Sequence, residues 1–234
     1  MEFKINIVRK EIDDSHYYFV NGEFYPGVTS IIGEAAPTSF GLKSFFLNNT
    51  PESADEISKV SLALGSKMHD AYEKLLNGVE LNLANEYKTT KEKKHIVSFA
   101  QWFEDFKPTE IQTEQTVASL KYKYAGTLDC LCKKDGEIWL IDFKTSAGIY
   151  WNYEIQVAAY KQAVLETLGV KVDKIGILRT GTKHKCGYEF KEIIRDFSDF
   201  ETVYKTYLSL HNGVIPEPPL IDIYPEVLRL NITR

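Results

Sequence analysis

Two carboxylates and one ammonium stand out by their surroundings. Asp129 lies in AGTLDCLCKK, and Asp142 and Lys144 lie in EIWLIDFKT; each is embedded in a strand-like run of apolar residues, away from turns. A buried charge is costly without a partner. The partners are either one another, in a buried salt bridge, or a divalent cation. Alternate side chains of a strand share a face, so Asp142 and Lys144 point the same way. Asp135-Gly136 is a hairpin-turn dipeptide, and it brings the Asp129 run alongside. Mg²⁺ takes oxygen ligands and keeps open positions for water and substrate phosphate. Asp129, Asp142 and the backbone carbonyl of Phe143 form a suitable donor set. Such a metal acidifies water and screens charge on a phosphoryl transition state. Lys144 would hold the attacking water or steady the developing negative charge. By itself Asp-x12-Asp-x-Lys is a common pattern and says little.

The elements that must position these groups follow from the patterning. IQTEQTVASL, KYKYAGTLDCLCKK and EIWLIDFKT read as three successive strands. WNYEIQVAAYKQAVLETL is an amphipathic helix ending at Gly169. DKIGILRTG and CGYEFKEII are further strands, and SDFETVYKTYLSLHNG is a last helix. Upstream, HYYFVNGEFYPGV reads as a hairpin turning at Asn21-Gly22. VTSIIGEAA is a short helix or turn, and SFGLKSFFL is helical. Pro51 opens a long helix with Ile57, Val60, Leu64, Met68, Tyr72 and Leu75 on its apolar stripe. A second long helix spans about 88–106, with Ile96, Phe99, Trp102, Phe103 and Phe106 inward. The order over 90–182 is α-β-β-β-α-β, which predicts an α/β fold with a mixed sheet between helices.

Within 234 residues a single domain is expected. It divides into an N-terminal hairpin and helical segment (1–50), a helical part (51–110), the catalytic sheet core (111–195), and a C-terminal helix and Pro-rich tail (196–234). No apolar run reaches the length of a membrane helix, and the start MEFKINIVRKEIDD lacks a signal-peptide core; a cytoplasmic protein without a membrane partner is expected. The net charge of −5 runs against the usual basic field of a nucleic-acid binder, although a carboxylate-rich metal site inverts the local sign. Basic clusters occur at KYKY (Lys121, Lys123), TKHK (Lys183, His184, Lys185) and KEKK (91–94); the plain reading of each is a solvated face. Cys130, Cys132 and Cys186 are an odd set with no disulfide framework, and the first two read as small buried hydrophobes.

Company strengthens the triplet. IDFKTS with QVAAYKQA resembles the third and fourth motifs of the RecB-like branch of the PD-(D/E)xK nucleases. GTLD resembles the second motif, and Gly65-Ser66-Lys67-Met68-His69 the Gly-x-x-x-His helix motif. Val28-Thr29-Ser30-Ile31 is similar to a segment of phage-type and mitochondrial-type single-strand DNA exonucleases. The resemblance covers about residues 65–180 and implies a restriction-endonuclease-like αβββαβ core. It implies that His69 completes a metal site with Asp129 and Asp142, and that Lys144 is the catalytic lysine. Imidazole suits Mn²⁺ better than Mg²⁺. Gln156 and Tyr160, four apart on one helix face, resemble the Gln-x-x-x-Tyr motif that orients the site and the nucleic-acid backbone. Their plainer alternatives are a core histidine at His69 and a core-capping tyrosine at Tyr160.

Further residues stand beside these motifs. Glu114 is an acidic neighbour of the kind that supports such sites, with Glu110 close by. Thr145, next to Lys144, is a substrate-contact candidate. Thr29 and Ser30 either meet phosphate or cap a helix. Arg179 either meets phosphate or makes a surface ion pair. Tyr150, Trp151 and Tyr153 either stack on unpaired bases or pack in the core. Three cysteines are too few for the iron–sulfur cluster of some relatives, so none is expected. No nucleotide-binding P-loop occurs, so a helicase or recombination partner would be a separate chain. The expected activity is Mg²⁺- or Mn²⁺-dependent hydrolysis of DNA by an exonuclease acting on single strands or ends. The competing readings are a non-catalytic DNA- or protein-binding module, against which the retained carboxylates and lysine argue, and a structure-specific endonuclease. Oligomeric state is not readable.

Overall fold

The computed structural model describes residues 5–12 and 15–217; the tail expected beyond residue 217 lies outside them. A three-stranded antiparallel sheet comes first, from β1 (Ile7–Ile12), β2 (Ser15–Val20) and β3 (Glu23–Tyr25). The β2–β3 turn is Asn21-Gly22, both at positive φ (50° and 87°), as a primed turn requires. The β1 strand was not expected. Four of its six residues are exposed, so it carries little of the apolar alternation by which strands are recognised.

Four helices follow: α1 (Val28–Ala35), α2 (Phe40–Leu47), α3 (Pro51–Leu76) and α4 (Thr90–Phe106). The start of α3 is written in its sequence. The Thr50 hydroxyl accepts the Ser53 amide proton at 3.3 Å, and Pro51 fills the first turn. A Thr89/Glu92 capping box starts α4. The expected stripe of α3 holds only in part. Of its members, Met68 and Tyr72 are buried and Leu64 and Leu75 partly so, whereas Ile57 and Val60 are 43% and 62% exposed. The helix outruns the layer it packs on, so periodicity alone overstates its buried length.

The second sheet contains β4 (Thr109–Ser119), β5 (Tyr124–Lys134), β6 (Glu137–Lys144), β7 (Lys174–Arg179) and β8 (Glu189–Ile193), in that spatial order. Neighbours are antiparallel except β6 and β7, which are parallel. The crossover between those two is α5 (Trp151–Leu168), which ends on Gly169 at φ +66°. Among the described residues the last helix is α6 (Ser198–Leu210). The expected α/β class, mixed sheet and element order are observed.

Two apolar layers enclose this sheet. One face packs Leu128, Leu140 and Ile177 against α5, α6 and α1. The other packs Cys130, Cys132, Ile141 and Phe143 against Met68 and Tyr72 of α3 and Phe99 and Trp102 of α4. Cys130 and Cys132 are therefore buried hydrophobes, as read from the sequence. Among the described residues, no helix is long and apolar enough to cross a membrane.

Candidate active site

The site lies where β5 parts from β6. Their ladder runs from Lys134↔Glu137 to Cys130↔Ile141 and ends there. One further step would place Asp129 opposite Asp142. Instead, Asp129 Oδ2 accepts the backbone amide proton of Phe143 at 2.6 Å. Leu128 faces the α5 layer, while Cys130, two residues on, faces the α3/α4 layer. The strict alternation of β5 is thus interrupted at Asp129. The split admits side chains from both helical layers to one spot.

From the α3 side comes His69, with Nδ1 3.2 Å from Asp129 Oδ1. From the α5 side comes Gln156, whose amide donates to Asp142 Oδ1 at 3.2 Å and to the Tyr160 hydroxyl at 3.2 Å. Lys144 Nζ stands 2.7 Å from Asp142 Oδ2 and over the Tyr153 ring at 4.8 Å. Asp142 and Lys144 share a face, as strand alternation predicts. Tyr160 is fixed from below by Gly126, where a Cβ would stand 2.5 Å from its Cε1; only glycine leaves the ring that room.

Glu114 holds a larger place than expected. Its neighbours in β4 pair as Thr113↔Cys130 and Gln115↔Leu128, so Glu114 lies opposite Asp129. Oxygen and nitrogen atoms of His69, Glu114 and Asp129 all fall within 4.8 Å of one another. Glu114 is at φ +50°, a strained backbone for a non-glycine residue. Arg9, carried by the unexpected β1, reaches Glu114 at 3.7 Å. The sequence offered no signal for Arg9.

The electrostatics are those of crowded, half-buried carboxylates. Burial and the Asp129 charge push Glu114 up to about 7. Burial pushes Asp142 up to about 6 despite Lys144. Burial also lifts Asp129, but the His69 imidazole, with the Lys144 ammonium and the Phe143 amide, more than offsets this and holds it below its ordinary value. Burial lowers His69, and Asp129 more than reverses that. Burial likewise lowers Lys144, and Asp142 and Asp129 raise it above its ordinary value. Asp142 Oδ2 is buried with no aligned hydrogen-bond donor, since the close Lys144 contact lacks hydrogen-bond geometry. A buried acceptor without an aligned donor and carboxylates raised toward neutrality are groups that a divalent cation would suit.

The remaining candidates divide. Thr29, Lys144, Tyr150, Trp151, Tyr153 and Gln156 line one cleft of about 630 Å³. Ser30 is exposed and is not part of that lining. Neither Thr29 nor Ser30 caps α1, whose N-cap is Gly27 with no side-chain hydrogen bond; the capping alternative is corrected. Thr145 turns from that cleft toward α3, 3.6 Å from where a Gly65 Cβ would lie. Arg179 is committed to Glu189 at 2.7 Å and to the Ala147 carbonyl at 2.9 Å, so its ion-pair alternative is the one observed.

Neither a protein-family model nor a curated protein sequence matches the chain. Solved structures similar to it include an alkaline exonuclease, LHK-Exo, from Laribacter hongkongensis. There the identity is 11%, 81% of this chain and 88% of the other are covered, and the TM-score is 0.43. The same enzyme in complex with dAMP matches at 12% identity and a TM-score of 0.42, with the same coverage. A protein from Eubacterium rectale with a provisional exonuclease assignment matches at 16% identity, covering 89% of this chain and 91% of that one, with a TM-score of 0.45.

Proposed function

We propose that this chain is a metal-dependent DNA nuclease of the RecB-like PD-(D/E)xK type, an exonuclease acting on single strands or DNA ends. The observation that carries the reading is the convergence of His69, Glu114, Asp129, Asp142, Lys144 and Gln156 at the split between β5 and β6. They come from five separate stretches of sequence, and a buried salt bridge alone would not need the histidine and third carboxylate.

His69, Glu114, Asp129 and Asp142, with the Phe143 carbonyl, are the groups that would hold Mg²⁺ or Mn²⁺. Such an ion supplies charge neutralisation and acidified water for hydrolysis of a phosphodiester. Three carboxylates suit either metal, and the imidazole favours Mn²⁺. The Lys144 ammonium supports negative charge developing on the phosphoryl oxygens. Gln156 fixes the carboxylate plane of Asp142, and Tyr160 fixes Gln156. Thr29, Tyr150, Trp151 and Tyr153 form the wall against which an unpaired base would stack.

End-labelled linear DNA and internally labelled circular DNA, single- and double-stranded, incubated with Mg²⁺, Mn²⁺ or EDTA, test this directly. The expected result is metal-dependent loss of linear single strands while circles persist. Lys144→Ala should lower the rate by about 10³-fold, with its melting temperature recorded alongside. Cleavage of circles would assign an endonuclease, and undiminished cleavage by Lys144→Ala or Asp142→Ala would overturn the site.

A further inference from the structure

Two basic clusters that are far apart in the sequence meet in space. Lys91 and Lys94 of α4 and Lys183 of the β7–β8 connection line one cavity of about 560 Å³, together with Thr145, Ser146 and His184. None of the described lining residues is Asp or Glu. The acidic groups nearest in sequence are already occupied. Glu92, between the two lysines, pairs with Lys67 at 2.6 Å, and Glu189 is held by Arg179 at 2.7 Å. Lys91, Lys94, Lys183 and His184 are exposed. The floor of the cavity is fixed: His95 Nδ1 lies 2.8 Å from the Thr180 hydroxyl, which in turn lies 2.7 Å from that of Tyr72. Burial, with Lys91 and Lys94 adding to it, holds His95 down at about 4. Three lysines and no lining carboxylate make this a basic spot in a chain of net charge −5.

Position gives this basic spot a purpose. Thr145 and Ser146 directly follow Lys144, and the Thr180 amide donates to the Lys144 carbonyl at 3.0 Å. The cavity therefore borders the C-terminal ends of the parallel strands β6 and β7, where α/β sheets commonly bind ligands. The cleft holding Lys144 and Gln156 opens on the other side of the same strand end. At this volume the cavity exceeds a lone phosphate and suits a stretch of sugar–phosphate backbone.

We propose that Lys91, Lys94 and Lys183 form a subsite for the backbone phosphates of a single DNA strand, on the side of Lys144 away from the aromatic cleft. This rests on the nuclease reading above. The strand crosses the end of β6, with the scissile phosphate at the carboxylates and following phosphates on the lysines. The subsite adds affinity and register and takes no part in bond breaking.

Fluorescence anisotropy in EDTA tests this with hydrolysis suppressed, using single-stranded oligonucleotides of about 16 and about 4 nucleotides. For the longer strand, Lys91→Ala/Lys94→Ala/Lys183→Ala should raise Kd about tenfold and reduce the slope of log Kd against log salt by about 2. The shorter strand should be nearly unaffected. The corresponding triple Arg variant should keep the parental Kd, which controls for folding. An unchanged Kd and salt slope for the longer strand overturns the subsite. Equal weakening of both lengths also overturns it, assigning the lysines to a terminal or free phosphate. Metal-dependent cleavage by the parent is scored separately: its absence removes the nuclease reading, while the binding comparison still decides the subsite.

Discussion

The two halves of α3 share an apolar spacing but differ in how much of it they bury. Residues 51–62 carry Ile57, Val60 and Leu62 into solvent, and residues 64–76 bury Met68, Ala71 and Tyr72. The first half buries Ala54 and otherwise stands on its cap, on Pro51 and on an i,i+4 ion pair, Lys59–Asp55. The second half is held by tertiary contacts. Tyr72 stacks on Phe99 at 4.2 Å, meets Phe143 edge-on at 5.7 Å, and closes the chain of hydroxyl and imidazole through Thr180 to His95. His69 sits in this anchored half. A site residue needs a fixed position, and packing supplies one that helix propensity does not.

The largest effect should come from Tyr72. Tyr72→Ala should cost about 4 kcal/mol, combining a cavity with lost partners for Thr180, whereas Val60→Ala should change stability by less than about 0.5 kcal/mol. Denaturant melts of both variants decide it, and equal losses would erase the distinction between the halves. Next comes His69→Ala, expected to slow metal-dependent cleavage about 100-fold, near 2.7 kcal/mol, while Lys59→Ala leaves the rate alone. A full-rate His69→Ala would return this residue to the core-histidine alternative.

The third test uses acid. His95 titrates at about 4 in the folded protein against 6.5 ordinarily, so the unfolded chain takes up the proton first. Its contribution is whole above pH 6.5 and is lost as pH falls toward 4, at no more than about 1.4 kcal/mol per pH unit for one proton. His95→Gln should therefore flatten the stability–pH curve in that window, and an unchanged slope would show that this histidine does not set acid sensitivity. The smallest effect is local. Thr50→Ala removes an N-cap worth about 1 kcal/mol and should speed amide exchange over residues 51–62 while leaving exchange around His69 unchanged. Faster exchange throughout α3 would mean that the helix melts as one unit.

Much of this architecture could be read before the structure. The hairpin at Asp135-Gly136, the Gly169 stop and the run of three strands are local signals, and the structure places them as expected. Spacing put Asp142 with Lys144, and Gln156 with Tyr160. Non-local relations were not legible. Glu114 gained its rank from a register set by the turn between β4 and β5, where Lys123 is at φ +55° and nothing in KYKY announces it. Arg9 needed β1, whose exposed residues leave no periodic trace. KEKK and TKHK each read as solvated faces, and only the fold makes them one cavity. The exposed stripe of α3 shows the reverse error: a clear pattern without a partner.

The tie between Asp129 and the Phe143 amide carries a further consequence. Its donor belongs to the main chain, so no replacement of Phe143 short of proline deletes it, and the acceptor is lost only by replacing Asp129 itself. Closing the β5–β6 ladder and aiming this carboxylate are then a single event. A cation drawn to Asp129 would grip the sheet through it, and ion affinity would emerge as resistance to unfolding, growing with the logarithm of ion concentration. Calorimetry could follow that without any substrate present.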